Sequence, residues 1–139
     1  MSTKIRPEVS KKNRYWLDRH RYYELKHFCM QYPGWKKSRD ELDGYFARGA
    51  VTQIRTEKRY ATSQTEVFAE ARLYYLDRIR MVENAAEEAS PELAKYLIIG
   101  VTEGVSYEHL KARLEIPCGK ELYYDIYRRF FWLLDKARK

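Results

Sequence analysis

Cysteine is scarce in this 139-residue chain, which holds Cys29 and Cys118 alone. They follow no CxxC spacing, so neither a disulfide framework nor a cysteine-based metal site is expected. Glycine (6) and proline (4) are also few, which excludes a turn-rich all-β architecture. No apolar run approaches the 18 residues that suggest a membrane helix; the longest, 96–100, is far shorter. The opening "MSTKIRPEVSKKNRYW" has basic residues without the apolar stretch of a signal peptide, so a cytoplasmic protein with no membrane partner is expected. Catalytic signatures are missing too. There is no Gly-rich phosphate loop, GxSxG or HExxH, and no nucleophile stands near a base, so no enzyme activity and no cofactor are expected. His20, His27 and His109 show no ligand pattern, and two imidazoles seven residues apart supply half of a structural zinc shell. No metal is expected.

What remains is basic, aromatic and helical. Apolar residues make up 45% of the chain, enough for a core at this length without a staple. The net charge of +7 is uneven. Residues 1–62 carry +8, residues 63–105 carry −4 and residues 106–139 carry +3. A polyanion would be drawn to both ends, and the acidic middle suits protein contact.

Helical spacing dominates throughout, which predicts an all-α fold: a helical bundle with a C-terminal tri-helical module. A first helix is expected over 10–31, capped by Ser10, with Trp16, His20, Tyr23, His27 and Met30 along its stripe and Tyr22, Leu25, Phe28, Cys29 and Tyr32 widening it. Pro33-Gly34 breaks it. A short helix over 35–46 follows, with Ser38 and Glu41 as a capping box. Residues 1–46 thus form a basic, aromatic N-terminal region. Residues 47–64 have weak periodicity and serve as the expected linker. Residues 65–139 form a second module. In it Ser63 and Glu66 cap a long helix with Phe68, Leu76, Ile79, Val82 and Ala86 inward. Ser90-Pro91 starts another helix, which Gly104 closes.

The last stretch, "SYEHLKARLEIPCGKELYYDIYRRFF", reads as two helices around a corner. Ser106 caps the first, and Tyr107, Leu110 and Leu114 are its inward face. Ile116 plugs the corner, and Pro117, Cys118 and Gly119 turn it. Leu122, Ile126, Phe130 and Leu133 then repeat at helical spacing along the second helix. With these inward, Lys120, Glu121, Tyr124, Asp125 and Arg128 point outward. Lys120 and Arg128 suit phosphate or guanine edges, and Tyr124 suits a base or a thymine methyl. Arg129, Ser106 and Lys111 complete the candidate double-stranded DNA contacts. The alternative is an aromatic helical hairpin with a charged outer face.

The segment "GVSYEHLKARLEIP…LYYDIYRRFFWLL" resembles region 4 of sigma factors, through Gly104, Ser106, Leu110, the Leu114-Glu115-Ile116 corner and the Arg128-Arg129 pair. Together with "YWLDRHRYYELKHFCMQYPGW" it is also similar to ArpU- and RinA-like regulators of phages and prophages in Gram-positive bacteria. The resemblance implies a sequence-specific DNA-binding transcription regulator with a C-terminal helix-turn-helix over 91–139, and RNA polymerase as a further partner. A DNA-packaging protein like a small terminase subunit, or a protein-interaction module that never touches DNA, are the rival readings.

In the N-terminal stretch Arg14, Arg19 and Arg21 alternate with Tyr15, Trp16, Tyr22 and Tyr23. Aromatics between cations can stack unpaired bases, but at this spacing they also suit a core. Lys11, Lys12, Arg14, Arg19 and Arg21 are candidate phosphate contacts. The acidic helix over 63–89 offers a surface for a homo-oligomer or for RNA polymerase.

Overall fold

A computed structural model describes residues 13–48 and 58–139. The described residues form six helices and no strand: α1 (Arg19–Cys29), α2 (Tyr32–Ala47), α3 (Lys58–Ala89), α4 (Ala94–Glu103), α5 (Tyr107–Leu114) and α6 (Lys120–Ala137). The all-α expectation therefore holds. None of these helices is long and apolar enough to cross a membrane. The chain divides into two compact units, one of Met1–Tyr32 with Met81–Lys139 and one of Pro33–Arg80. This division is not the order read along the sequence, because the last turns of α3 join the first unit.

Local signals account for several helix ends. Asp18 caps α1 by accepting the His20 N–H at 3.1 Å, so this helix starts at Arg19 and not near Ser10, which lies outside the described residues. Pro33 sits in the first turn of α2, where its missing N–H costs nothing. Ser38 and Glu41 are consequently interior to α2 and form no capping box. Helix α3 runs through Ser63, so that cap is not used either, and residues 58–64 are helix instead of linker. Residues 49–57 of the expected linker lie outside the described residues. Gly104 ends α4 with φ +67°, a left-handed conformation open to glycine at little cost.

In the first unit α1 packs on α4 and α6, and α4 packs on α5. Leu25, Leu97, Leu110, Ile116, Phe130 and Leu134 are fully buried in its core. The buried side of α1 is Tyr22, Leu25, Phe28 and Cys29. His20, His27 and Met30 of the other expected stripe face water. Helix α1 is tied to α6 by polar bonds as well. Tyr22 and Tyr127 share a hydroxyl hydrogen bond of 2.6 Å, and Arg21 Nε donates to Asp135 Oδ1 at 2.6 Å. Burial among these rings raises the Tyr127 phenol well above its ordinary value, with the Tyr22 hydroxyl adding to the shift.

The second unit is a helical hairpin of α2 and the first part of α3. Tyr45 and Phe68 meet edge-to-face with centroids 4.7 Å apart, and Arg72 Nε donates to Asp43. These pairs make the two helices antiparallel. Trp35 and Ile79, at the two edges of this unit, are buried; between them no described residue from Lys36 to Arg78 is buried.

Candidate nucleic-acid interface

The corner between α5 and α6 is built from backbone outward. Ser106 Oγ accepts the His109 N–H at 3.2 Å and caps α5. At the other end Glu115 takes φ +53° and ψ +46°. The Ile116 N–H then reaches back to the Leu110 carbonyl at 3.4 Å. The Glu115 N–H reaches the same carbonyl, so the last turn is closed by a left-handed cap, with Glu115 where glycine is usual. Both Ile116 and Leu110 are fully buried, so the corner is anchored by apolar side chains on either side. A left-handed residue other than glycine costs roughly 1–2 kcal/mol, and burial of Ile116 offsets it.

Side chains then stitch α5 to the start of α6. Tyr107 donates its hydroxyl to the Cys118 carbonyl at 2.6 Å, and Lys111 Nζ donates to the Ile116 carbonyl at 3.3 Å. Lys120 Nζ lies 2.7 Å from a Glu108 carboxylate oxygen. The ammonium hydrogen bond holds the Glu108 carboxyl below its ordinary range. In return Glu108 raises Lys120 above its own. Behind them, Tyr123 is packed over Gly100, where an added Cβ would run into the Tyr123 oxygen. Burial pushes the Tyr123 phenol up, and its oxygen has no hydrogen-bond partner.

Helix α6 is turned relative to the sequence expectation. Its inward side is Tyr123, Tyr124, Ile126, Phe130, Phe131, Leu134 and Asp135. Leu122 is 52% exposed and Leu114 is 42% exposed, although both were expected in the core. Tyr124 was expected to point outward. It is buried, and its hydroxyl accepts the Tyr107 N–H at 3.4 Å, so it leaves the candidate DNA contacts. The reason is that the flat rings of Tyr123 and Tyr124 fill the wedge between α5 and α6. They lie edge-to-face with centroids 5.1 Å apart, and Leu122 is left on the outer side.

The cations expected at this edge are distributed as follows. Lys120 is half-exposed and engaged with Glu108. Arg128 has a side chain only 18% exposed, 3.8 Å from Asp125, and its Nε is buried without a hydrogen-bond partner. Arg129 faces the rear instead. It donates to the Tyr15 hydroxyl at 3.3 Å and to the Glu88 carbonyl at 3.5 Å. It therefore also leaves the DNA edge and serves as a tie within the unit. Ser106 works as the cap, and Lys111 supports the corner while its chain stays exposed.

Arg113 was not singled out in the sequence, yet it is exposed on α5 beside Lys111. Its position three residues before the corner was the signal that could have found it. Glu121, Leu122 and Asp125 are the exposed residues of the first turns of α6. Between residues 108 and 128 the edge holds Lys111, Arg113, Lys120 and Arg128 against Glu108, Glu115, Glu121 and Asp125. Its charges balance.

The N-terminal cations are not gathered at this edge. Arg14 lies over the Tyr15 ring at 5.0 Å. Tyr15 itself is buried and meets Trp132 edge-on at 5.5 Å between centroids. Lys136 covers the Trp132 ring at 3.5 Å. Arg19 is exposed, and Arg21 is held by Asp135. Tyr22 is core, and Tyr15 is closed off, so neither is free to stack a base. Lys11 and Lys12 lie outside the described residues.

No protein-family model matches the chain, and no characterised protein or solved structure matches it.

Proposed function

We propose that the chain is a sequence-specific duplex DNA-binding protein that docks through α5, the corner and the first turns of α6, as a helix-turn-helix would. One observation carries this reading. The first turns of α6 are open to solvent at Glu121, Leu122 and Asp125, while the rest of the helix is held from behind by α1 through Tyr22 and Arg21. A helix presented by its N-terminal end and anchored at its rear suits insertion into a major groove. The net charge of +7 favours a polyanion. Lys111 and Arg113 supply phosphate contacts, Lys120 and Arg128 flank the groove, and Glu121 and Asp125 accept from cytosine amino groups. Leu122 meets a thymine methyl. A phage or prophage transcription regulator acting in the cytoplasm, with RNA polymerase as partner, is the setting that the sigma-like sequence implies.

A second reading has its own support: a protein partner on the same edge. The balanced charge of the edge and the exposure of Leu114 and Leu122 favour it.

Fluorescence anisotropy on mixed-sequence and selected duplexes at several salt concentrations separates the two. DNA docking gives a log–log salt slope of roughly −0.9 for each phosphate contacted. Arg113→Ala then lowers that slope by about one unit. The absence of salt-sensitive binding to every selected duplex removes the DNA reading and leaves the protein partner.

A further inference from the structure

The hairpin of α2 and α3 is chemically unfinished. Two packed helices cover one stripe of each other and leave the flanks open. Here every described residue from Lys36 to Arg78 keeps some exposure. On one flank α2 and α3 enclose an open groove of about 580 Å³. Leu42, Tyr45, Val67, Phe68, Ala71 and Tyr75 form its apolar floor and walls. Val67 is 58% exposed.

Two opposite charges stand on the α2 side of this groove, Glu41 and Arg48. They are seven residues apart, two helical turns, and therefore on one face. The antiparallel pairing of Asp43 with Arg72 and of Tyr45 with Phe68 sets Glu41 toward the Tyr75 end and Arg48 toward the Val67 end. Both are exposed, and neither has an ion pair among the described residues. Asp40, also on the rim, is already bonded to Arg39 at 2.8 Å. Gly44 lies between the two charges, where an added Cβ would come within 3.1 Å of the Arg48 guanidinium.

We infer that this groove is a self-association surface, occupied by the same groove face of a second copy. A two-fold axis between Gly44 and Tyr45 reverses one α2 against the other. Each Glu41 then meets the partner's Arg48, and this occurs twice. The apolar floors meet between them and make a four-helix bundle, the ordinary solution for two hairpins with open flanks. The opposite flank, lined by Phe46, Ala69 and Leu73, carries Arg72 already satisfied by Asp43 and offers no such complementary pair. This inference is independent of the DNA reading, and its test uses no DNA.

The test is sedimentation equilibrium of the full chain and of charge-reversed variants, with circular dichroism to check helix content. The wild type is expected as a dimer of twice the 16.8 kDa chain mass. Glu41→Arg and Arg48→Glu each place like charges together twice and raise the dimer dissociation constant on the order of tenfold. Combining both substitutions in one chain restores dimerisation to within about threefold of wild type, since exposed pairs contribute little beyond their sign. Mixing the two single variants restores it as a heterodimer. A wild-type monomer at all concentrations overturns the inference, as does a dimer indifferent to both single reversals. A double variant with full helix content but as weak as the singles overturns it too, because reversing both charges restores the opposite-charge pairs that the two-fold arrangement requires.

Discussion

The two units of this chain use similar residues to opposite effect. In the unit of 13–32 and 81–139, tyrosines and phenylalanines from α1 and α6 close on one another, and Tyr123, Phe130 and Phe131 reach essentially no solvent. In the hairpin, Tyr45, Phe46 and Phe68 pair in the same edge-to-face manner, yet all remain half-exposed. Ring contacts alone therefore do not make a core. A third and a fourth wall do, and the first unit has them in α4, α5 and the end of α3. The difference separates a part that can hold a site in place from a part whose apolar surface stays open to solvent.

The largest test of that contrast is paired truncation. Phe130→Ala, at a fully buried ring, should lower unfolding stability by about 3–5 kcal/mol. Phe68→Ala should lower it by about 1 kcal/mol or less, since much of its surface already meets water. Equal losses in urea denaturation would show that the hairpin is as closed as its neighbour. Gly100→Ala should come next. The new methyl meets the Tyr123 oxygen, and overpacking of this kind costs about 1–3 kcal/mol. An unchanged melting temperature would show that Tyr123 can move aside.

A smaller loss is expected for Asp135→Asn, which weakens the tie from α6 to Arg21 of α1. We expect about 1–2 kcal/mol, discounted because Arg21 is 29% exposed. Glu115→Gly should act in the other direction and stabilise by about 1 kcal/mol, because glycine removes the left-handed strain and gives back part of the gain as chain entropy. A loss instead would show that the Glu115 side chain contributes at the corner.

The smallest effect belongs to the Lys120–Glu108 pair. The Glu108 carboxyl is lowered in the folded chain, so its contribution is present above the unfolded carboxyl value and lost as pH falls through the lowered one. Lys120 is raised, so its contribution is full below the unfolded lysine value and lost as pH rises through the raised one. Side-chain NMR titration should show the Glu108 midpoint return to the ordinary range in Lys120→Met. No movement would mean the pair is not formed in solution.

Within α5 and α6 the legible part and the illegible part lie side by side. Ser106 as a cap, Gly104 as a stop and Ile116 as a plug were readable, since each depends on residues within one turn. The side on which α6 is buried was not. The spacing of Leu122, Ile126, Phe130 and Leu133 fits a helix as well as that of Tyr123, Tyr127, Phe130 and Leu134, and α6 offers apolar residues around most of its circumference. Periodicity cannot choose between stripes when both are apolar. The choice followed from what faces the helix: Gly100 gives Tyr123 room, and Tyr22 gives Tyr127 a hydrogen bond. The same choice removed Tyr124 and Arg129 from the outer edge and left Leu122 on it.

Sequence by itself determined that this chain is helical, where most of its helices stop, and that its charge is basic at both ends. Those properties follow from local backbone preferences and from counting. Only the tertiary structure decided which aromatic stripe is core, which arginines are spent on internal bonds, and that the hairpin from Lys36 to Arg78 closes no core of its own. These depend on residues distant in the chain meeting in space, which no local pattern encodes.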